Sequence, residues 1–419
     1  MPPVESVKLN KPIHILGAGL SGLSAAIVLA RSGCEVHVHE IRADSGARFD
    51  GDFQGIENWT RPVDFLTEMK QWGIDPGNFM ATPFREIDLV APDGRISVAR
   101  TPATAFWLVE RGTGERTIDQ GLKRQALAAG VRLHYRSTRP REQCDVVATG
   151  PRGVTGIVRG ELFRTSHPDR VVVQLDDRLA PGAYTYMIVT GGVGLIATVL
   201  LRRQRDADRF LDESLAWYHA HYPRLDRDPI RRLGGVGCFA LGSRYRVGER
   251  LYVGEAAGLQ DCLWGFGIRY AVTSGVLAAR ALLGGEDYEG ELRRRLRPFQ
   301  AASLANRWLL GRLGARGLSG LARVWMWDQE RRGDGLPFLS RLYRPSWLHW
   351  LLFKTVAGRG LDRIPGPDDG TGARYLPMLP PERRDDWPLS EAGRAVSAAR
   401  RQPAGKTGHP QEETWQTST

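Results

Sequence analysis

GAGLSGLSAAIVLARSGCEVHVHE, residues 17–40, is the stretch that decides the fold of this chain. It follows the apolar run PIHIL, residues 12–16, which reads as a short strand. Gly17 permits a tight turn, Gly19 lets the backbone approach a pyrophosphate, and Gly22 lets the next helix lie close to the strand. That helix opens through Leu20 and Ser21 with its amide end toward the phosphates. Ala26 keeps its face small, Gly33 ends it, and CEVHVHE is a second strand that brings Glu40 to its carboxyl end. A carboxylate there accepts both ribose hydroxyls and repels a 2′-phosphate. A βαβ unit that binds nothing is the competing reading; the preceding strand, the small residues and the terminal acid together favour a dinucleotide site.

A second landmark is RLYVGEAAGLQDCLWGFGIRYAVTSGVLAARALL, residues 250–283, where a buried strand meets a glycine-rich loop and a small-residue helix. Gly254 and Glu255 would set an acid against a ribityl or phosphate-side hydroxyl. Gly265 and Gly267 let backbone amides approach a flavin ring, and a helix starting near Ile268 would aim its positive end at that ring. Such an arrangement stabilises negative charge on a reduced flavin. Ala271, Ser274, Gly275, Ala278 and Ala279 keep the helix thin enough to pack under a cofactor.

With 419 residues the chain exceeds the usual single-core size. A formal net charge of +11 and a pI near 9.8 suggest an anionic partner surface or substrate. Cys34, Cys144, Cys238 and Cys262 are widely spaced with no CxxC pair, which indicates neither a zinc site nor a disulfide framework. A reducing cytoplasm fits, and the first eleven residues lack the apolar core of a signal peptide. Residues 183–201 carry no charge over a length close to a membrane span, but Gly191, Gly192 and Gly194 sit in the middle. Two buried strands joined at the glycines describe that segment better.

Periodicity alternates between helix and strand along the chain, which implies interleaved domains. Residues 59–73 and 116–130 read as helices, 85–110 as strands around Pro92-Asp93-Gly94, and 131–135 and 145–148 as strands. The run DVVATG ends at Gly150 in the manner of a strand rising beneath a bound nucleotide. Between them, SGARFDGDFQGIENW, residues 45–59, reads as a loop carrying Arg48, Asp50, Asp52, Gln54 and Glu57 among aromatics. Arg48 there either neutralises a pyrophosphate, anchors an anionic head group, or forms local salt bridges in a solvated loop. His37 and His39 share one face of the second strand, and His219 and His221 repeat the spacing. Neither pair has a third ligand in sequence, so no metal is expected.

On these residues the chain resembles the FAD-dependent geranylgeranyl reductase family, within the p-hydroxybenzoate-hydroxylase-like flavoproteins. The resemblance spans roughly residues 12–300 and rests on Gly17, Gly19, Gly22 and Glu40; on an arginine, Arg111 or Arg116, ahead of the Asp119–Leu122 helix; and on GEAAGLQDCLWGFGI, residues 254–268. Glu255 replaces the usual Asp and Cys262 the usual Pro. The family's substrate-pocket pattern is matched in part by Pro181, Tyr184, Tyr186 and Ile188, with Val189 where a final Pro would stand. The resemblance implies noncovalent FAD held by these glycines with Glu40, Arg111 and Glu255; on their own reading Arg48 and Gly150 border the same site, and Tyr184 and Tyr186 are either pocket donors or core packing. It implies hydride transfer from reduced flavin to an alkene of an isoprenoid or other lipid. The electron donor would be NAD(P)H or a ferredoxin-type protein, since no second nucleotide domain is visible.

The expected fold class is α/β: a Rossmann-type FAD-binding domain, residues 10–58, 111–160 and 236–300, interleaved with an antiparallel-sheet substrate domain, residues 59–110 and 161–235. A C-terminal helical region, 301–360, and a polar, disordered tail, 361–419, complete the expectation. The helical region carries Trp308, Trp325, Trp327, Trp347 and Trp350 among leucines and arginines. It reads either as an interfacial surface for anionic lipid at the inner face of the membrane or as a cap with its apolar side turned inward. Rival functions are a flavin monooxygenase or dehydrogenase of the same superfamily and a non-catalytic prenyl-lipid binder. The aromatic hydroxylases' D-G motif is replaced by ATGPRGVTG, residues 148–156, and no W-x-W-x-I-P halogenase motif occurs. No nucleic-acid partner is expected.

Overall fold

The computed structural model describes residues 11–360, except 50, 152, 153, 155, 239, 242–244 and 286, together with 374–375. All of these fall within one unit, Met1–Met378. Asp50 and almost all of the polar tail lie outside the described residues.

The apolar strand before the glycine turn is Ile13–Leu16, and it lies inside a six-stranded sheet. The order is Arg246–Val247, Arg250–Tyr252, Val146–Val147, Ile13–Leu16, Val36–Glu40, Arg132–Tyr135, parallel except for the first pair. Ile13, Ile15, Val36 and Val38 turn one face into a core shared with helix α1 (Leu20–Arg31). The register sets His14 beside His37 and His39 beside His134 on the other face.

The segment 183–201 forms two strands, Tyr184–Thr190 and Val193–Leu200, turning at Gly191 and Gly192, which take positive φ of 56° and 79°. They lie in a seven-stranded sheet ordered Asp228–Gly237, Gly156–Arg164, Val193–Leu200, Tyr184–Thr190, Arg170–Gln174, Glu86–Val90, Ile96–Arg100. Only Arg170–Gln174 and Glu86–Val90 pair in parallel. Alternation divides the sheet. Met187, Val189 and Ile196 pack under Leu211, Leu215 and Tyr218, while Ile188, Leu195 and Ala197 join a second apolar cluster with Trp59, Phe106, Trp325 and Tyr343. Each such aliphatic side chain contributes about 1.5–3 kcal/mol on burial.

Helix α2 (Phe65–Gln71) is much shorter than the helix expected over 59–73. Pro62 disfavours helical backbone at Arg61. Asp64 caps α2 through Thr67 N–H at 3.1 Å and also accepts from Asn58 Nδ2 and Trp107 Nε1 at 2.6 and 2.7 Å. Part of the expected 45–59 loop is a strand, Phe53–Glu57, paired with Phe106–Glu110, which pairs in turn with Ala81–Phe84. That pairing buries Phe53 and Ile56, a tertiary effect that local composition does not announce.

The remaining helices are α3 (Ile118–Ala128), capped by Thr117; α4 (Ala207–His221), on which His219 and His221 sit; α5 (Ile268–Leu282); and α6 (Tyr288–Arg295). The C-terminal region holds α7 (Arg297–Arg332), broken at Gly314 (φ 59°, ψ −172°), then α8 (Leu336–Tyr343) and α9 (Trp347–Gly360). Ala322, Trp325, Leu339 and Tyr343 turn one side of α7 and α8 onto the apolar cluster of the seven-stranded sheet, as a cap would.

Candidate active site

Three glycines at the start of α1 differ in what surrounds them. Gly17 takes φ +109°, and a Cβ there would meet the Ala148 carbonyl oxygen at 2.4 Å. A Cβ on Gly22 would stand 2.0 Å from the Gly17 carbonyl oxygen, so side chains at both positions are excluded by the protein itself. At Gly19 a Cβ would meet no protein atom within 4 Å. Gly19 is also the helix cap and offers no side-chain acceptor to the first turn. The opening N–H groups of α1 are therefore free of intrahelical partners and border an open cradle, the geometry an anionic diphosphate requires. Leu20 and Ser21 are buried behind it.

Glu40 stands at the end of its strand as expected. Its Oε2 accepts from Ala18 N–H and its Oε1 from Arg42 N–H, both at 2.9 Å, which fixes the carboxylate beside the glycine turn.

The second landmark meets the first through α1. The Gly254 N–H donates to Ser274 Oγ at 2.8 Å, and a Cβ on Gly254, whose φ is +57°, would lie 2.8 Å from Ser21 Oγ. A Cβ on Gly275 would come within 2.2 Å of the Ser21 carbonyl oxygen, so α1 and α5 cross at closest approach there. Arg48 forms an ion pair with Glu255 at 3.0 Å and donates to the Val236 carbonyl at 2.6 Å. Gly150 faces the same guanidinium, 3.6 Å from where its Cβ would be. Of the sequence readings of Arg48 the salt bridge is realised, but its partner is 207 residues away in the second motif.

Arg111, not Arg116, is the buried arginine ahead of α3. It binds Asp119 in bidentate fashion at 2.8 and 3.0 Å, donates to Gln54 Oε1 at 2.8 Å, and lies 3.9 Å above the Phe49 ring. Burial opposes the charge on Arg111, and Asp119 outweighs it, raising the guanidinium's pKa. Removing one partner of such a buried pair costs about 3–5 kcal/mol. Three of its five N–H donors are bonded to Asp119 and Gln54, which holds the guanidinium over Phe49.

Asp261 was not singled out by sequence reading, yet the glycine-rich loop folds around it. Its carboxylate accepts from Trp264 N–H at 2.7 Å, Leu263 N–H at 3.3 Å and the Tyr343 hydroxyl at 3.1 Å, while its own N–H donates to the Phe266 carbonyl. Burial pushes the Asp261 carboxyl up from its ordinary range. The only sequence signal was an acid beside Cys262, where the family pattern has proline. The loop leaves Gly265, at φ +81°, with no protein atom within 4 Å of a would-be Cβ, and α5 begins at Ile268 behind Gly267 without a side-chain cap.

The same loop touches the seven-stranded sheet. The Tyr184 hydroxyl donates to the Trp264 carbonyl at 2.5 Å, and its ring meets Trp264 edge-on with centroids 5.5 Å apart. Arg307 from α7 donates to the carbonyls of Leu263 and Gly182, and desolvation lowers its pKa to about 10. Tyr186 lies beside Tyr184, ring centroids 5.9 Å apart, and its hydroxyl has no hydrogen-bond partner among the described residues. Burial raises both phenols, followed by Asp261 for Tyr184 and by Tyr184 for Tyr186. Both phenols are protonated near neutrality.

The NAD(P)-binding Rossmann-like domain family matches residues 15–56. The solved structure of a geranylgeranyl bacteriochlorophyll reductase-like protein from Thermoplasma acidophilum superposes with TM-score 0.61 at 17% identity, over 83% of this chain and 95% of that one. This chain has the fold of the FAD-dependent oxidoreductases. Aklavinone-11 hydroxylase, solved with FAD and aklavinone, aligns with TM-score 0.52 at 17% identity over 71% of this chain and 68% of its own. A hydroxysqualene dehydroxylase of Rhodopseudomonas palustris is 32% identical over 113 residues, 26% of each chain, so the match spans about a quarter of that relative's length. Among the described residues no helix is long and apolar enough to cross a membrane, and no group of three or more His, Cys, Asp or Glu is arranged to hold a metal ion.

Proposed function

We propose that this protein is an FAD-dependent reductase that saturates carbon–carbon double bonds of an isoprenoid or similar lipid. The observation that carries the reading is the bond from Tyr184 to the Trp264 carbonyl, which ties an apolar sheet face bearing two protonated phenols to the glycine-rich loop of the nucleotide fold. Gly17, Gly19, Leu20, Ser21, Gly22 and Glu40 would hold the diphosphate and ribose of FAD; Arg48, Gly150, Gly254 and Glu255 the region beyond it; Gly265, Gly267 and Ile268 the ring. The open space at Gly19 and at Gly265 fits that assignment. Bound FAD supplies a two-electron carrier able to deliver a hydride to an alkene carbon, with electrons drawn from NAD(P)H or a ferredoxin-type protein.

The protein's own part is orientation, dryness and the proton. The apolar cluster around Ile188, Leu195, Phe106 and Trp59 excludes water from the sheet face. Tyr186, beside Tyr184 on the apolar face and with a hydroxyl that has no hydrogen-bond partner among the described residues, is the group proposed to protonate the second alkene carbon, although burial makes it a weaker acid than an ordinary phenol. The lipid substrate class is supported by two similar proteins whose names refer to geranylgeranyl and hydroxysqualene chemistry.

The purified protein should be yellow with noncovalent FAD, and Glu40→Ala should weaken FAD by about 1.5–3 kcal/mol, the value of a hydrogen bond to a charged group. Anaerobic, chemically reduced enzyme should be reoxidised by an unsaturated polyprenyl lipid, the product gaining two hydrogens per bond. A product heavier by one oxygen atom and strictly dependent on oxygen would replace the reductase with a monooxygenase. Colourless protein that takes up no FAD on titration would leave a lipid-binding protein.

A further inference from the structure

The apolar residues of the C-terminal helices fall into two sets. One set is turned inward: Ala322, Trp325, Leu339 and Tyr343 are buried in the cluster beside the seven-stranded sheet. The other set is turned outward. Of the fifteen large hydrophobic side chains exposed among the described residues, eight lie on α7 and α9: Leu309, Leu313, Val324, Trp327, Trp347, Leu348, Trp350 and Leu351. Trp347, Trp350 and Trp327 are 77%, 61% and 59% exposed. Single exposed apolar residues need no explanation, but three tryptophans and five aliphatics gathered on one helical region do.

Charge says what covers them. Residues 297–360 hold eleven Lys and Arg against three Asp and Glu. Of the acids, Asp328 is shared between Arg332 and Arg341, and Asp334 accepts from the Leu336 N–H. Arg312, Arg323 and Lys354 are exposed with no carboxylate partner among the described residues. The cations stand against the aromatic rings: Arg312 lies 4.8 Å over Trp308, Arg331 5.7 Å over Trp327 and Lys354 5.3 Å over Trp350.

On α9, Trp347, Trp350, Leu351 and Lys354 follow a spacing of three, four and seven and share a face. His349 points the other way, to Asn306 Oδ1 at 3.2 Å, which fixes which side of α9 faces out. Trp, Leu and basic residues in one stripe suit the boundary between headgroups and acyl chains, with rings at headgroup level and cations on lipid phosphates. A protein partner would need a matching acidic surface around an apolar centre; an anionic bilayer supplies both layers at once.

We infer that α9 and the outer face of α7 form a membrane-docking surface for anionic phospholipid, the protein lying on the bilayer without crossing it. An open groove of about 420 Å³ lies beside this surface, lined by Val324, Trp327, Phe338, Leu342 and His349 together with the Asp328–Arg341 ion pair.

Sedimentation of the full-length protein with vesicles of phosphatidylcholine alone, or with phosphatidylglycerol added, tests the proposal. Binding should be at least tenfold tighter to the anionic vesicles and should weaken in high salt. Trp347→Ser with Trp350→Ser, and separately Arg323→Glu with Lys354→Glu, should each reduce it severalfold. These exposed positions leave the core intact, so bound FAD and the unfolding midpoint should stay as in the parent; both readouts are independent of whether the enzyme proves to be a reductase. Equal, negligible binding to both vesicle types would overturn the proposal. So would concentration-dependent dimerisation abolished by the tryptophan pair, which would assign the face to a second copy of the chain.

Discussion

Around α1 the decisive positions are those where a side chain is missing, and on the Tyr184–Thr190 strand they are those where a side chain is present. At Gly17, Gly22 and Gly275 neighbouring backbone fills the space a Cβ would need, at 2.4, 2.0 and 2.2 Å. On the strand, Tyr184 is tied by its hydroxyl to a carbonyl 80 residues away, while Tyr186 ends in a hydroxyl with no partner among the described residues. A backbone-built cradle is written locally, because only glycine satisfies it. A wall built of side chains depends on what the rest of the chain brings opposite.

The largest expected effect separates two glycines within the cradle. Gly22→Ala places a methyl group against the Gly17 carbonyl and must displace the turn. Overpacking of this kind costs about 1–3 kcal/mol and more where backbone has to move, so the apoprotein should unfold at distinctly lower denaturant. Gly19→Ala meets no protein atom within 4 Å and should leave the unfolding midpoint unchanged while lowering FAD affinity at least tenfold. Denaturation of apoprotein and FAD titration of both variants read the two effects apart. Equal FAD affinity in Gly19→Ala and the parent would show that the open space beside Gly19 is not where the diphosphate lies.

The contrast between the two regions also explains how much was legible. Gly17, Gly22, Gly33 and Glu40 could be read from spacing, since turn, close approach, helix end and strand-end acid are all local events. The turn at Gly191 and Gly192 was readable for the same reason. Asp119 could not be named as the partner of Arg111 until α3 folded back on the strand, nor Glu255 as that of Arg48. Phe53–Glu57 hid inside a polar loop pattern because its strand character comes from pairing with Phe106–Glu110, not from its own alternation. Asp261 was missed because an acid in a glycine-rich loop looks solvated, whereas Tyr343 and two backbone amides bury it.

A smaller effect sharpens the difference between the two tyrosines. Tyr184→Phe removes a hydroxyl bonded to the Trp264 carbonyl and should lower stability by about 0.5–1.5 kcal/mol. Tyr186→Phe removes a hydroxyl without a partner among the described residues and should stay within about 0.5 kcal/mol of the parent. If Tyr186 supplies the proton, its phenylalanine variant should lose turnover with FAD and substrate binding intact, and Tyr184→Phe should alter binding more than turnover. Unchanged rates in both variants would return the two phenols to packing.

The smallest effect concerns the face of the six-stranded sheet opposite α1, where sequence showed His37 and His39 and the fold adds His14 and His134. His14 Nδ1 lies 3.3 Å from His39 Nε2 and His37 Nδ1 lies 3.0 Å from His134 Nε2, with the His39 and His134 rings stacked at 4.9 Å. Glu35 reaches His37, Asp145 favours a charge on His14, and Arg139 disfavours one on His14 and His39. Burial, followed by His134, His14, Arg139 and His37, pushes the His39 pKa down to about 4 from 6.5. Because the folded value lies below the unfolded one, this imidazole favours neither state above about pH 6.5 and costs stability progressively as pH falls from there toward 4. Glu57 and Asp261, raised by burial, act in the opposite sense over the acid range, so the parent's curve alone does not isolate the histidine. His39→Gln does: it should match the parent's pH dependence above pH 7 and lose stability less steeply between 6.5 and 4. Parallel curves for parent and variant through that window would mean that the stacked imidazoles share their proton without linkage to folding.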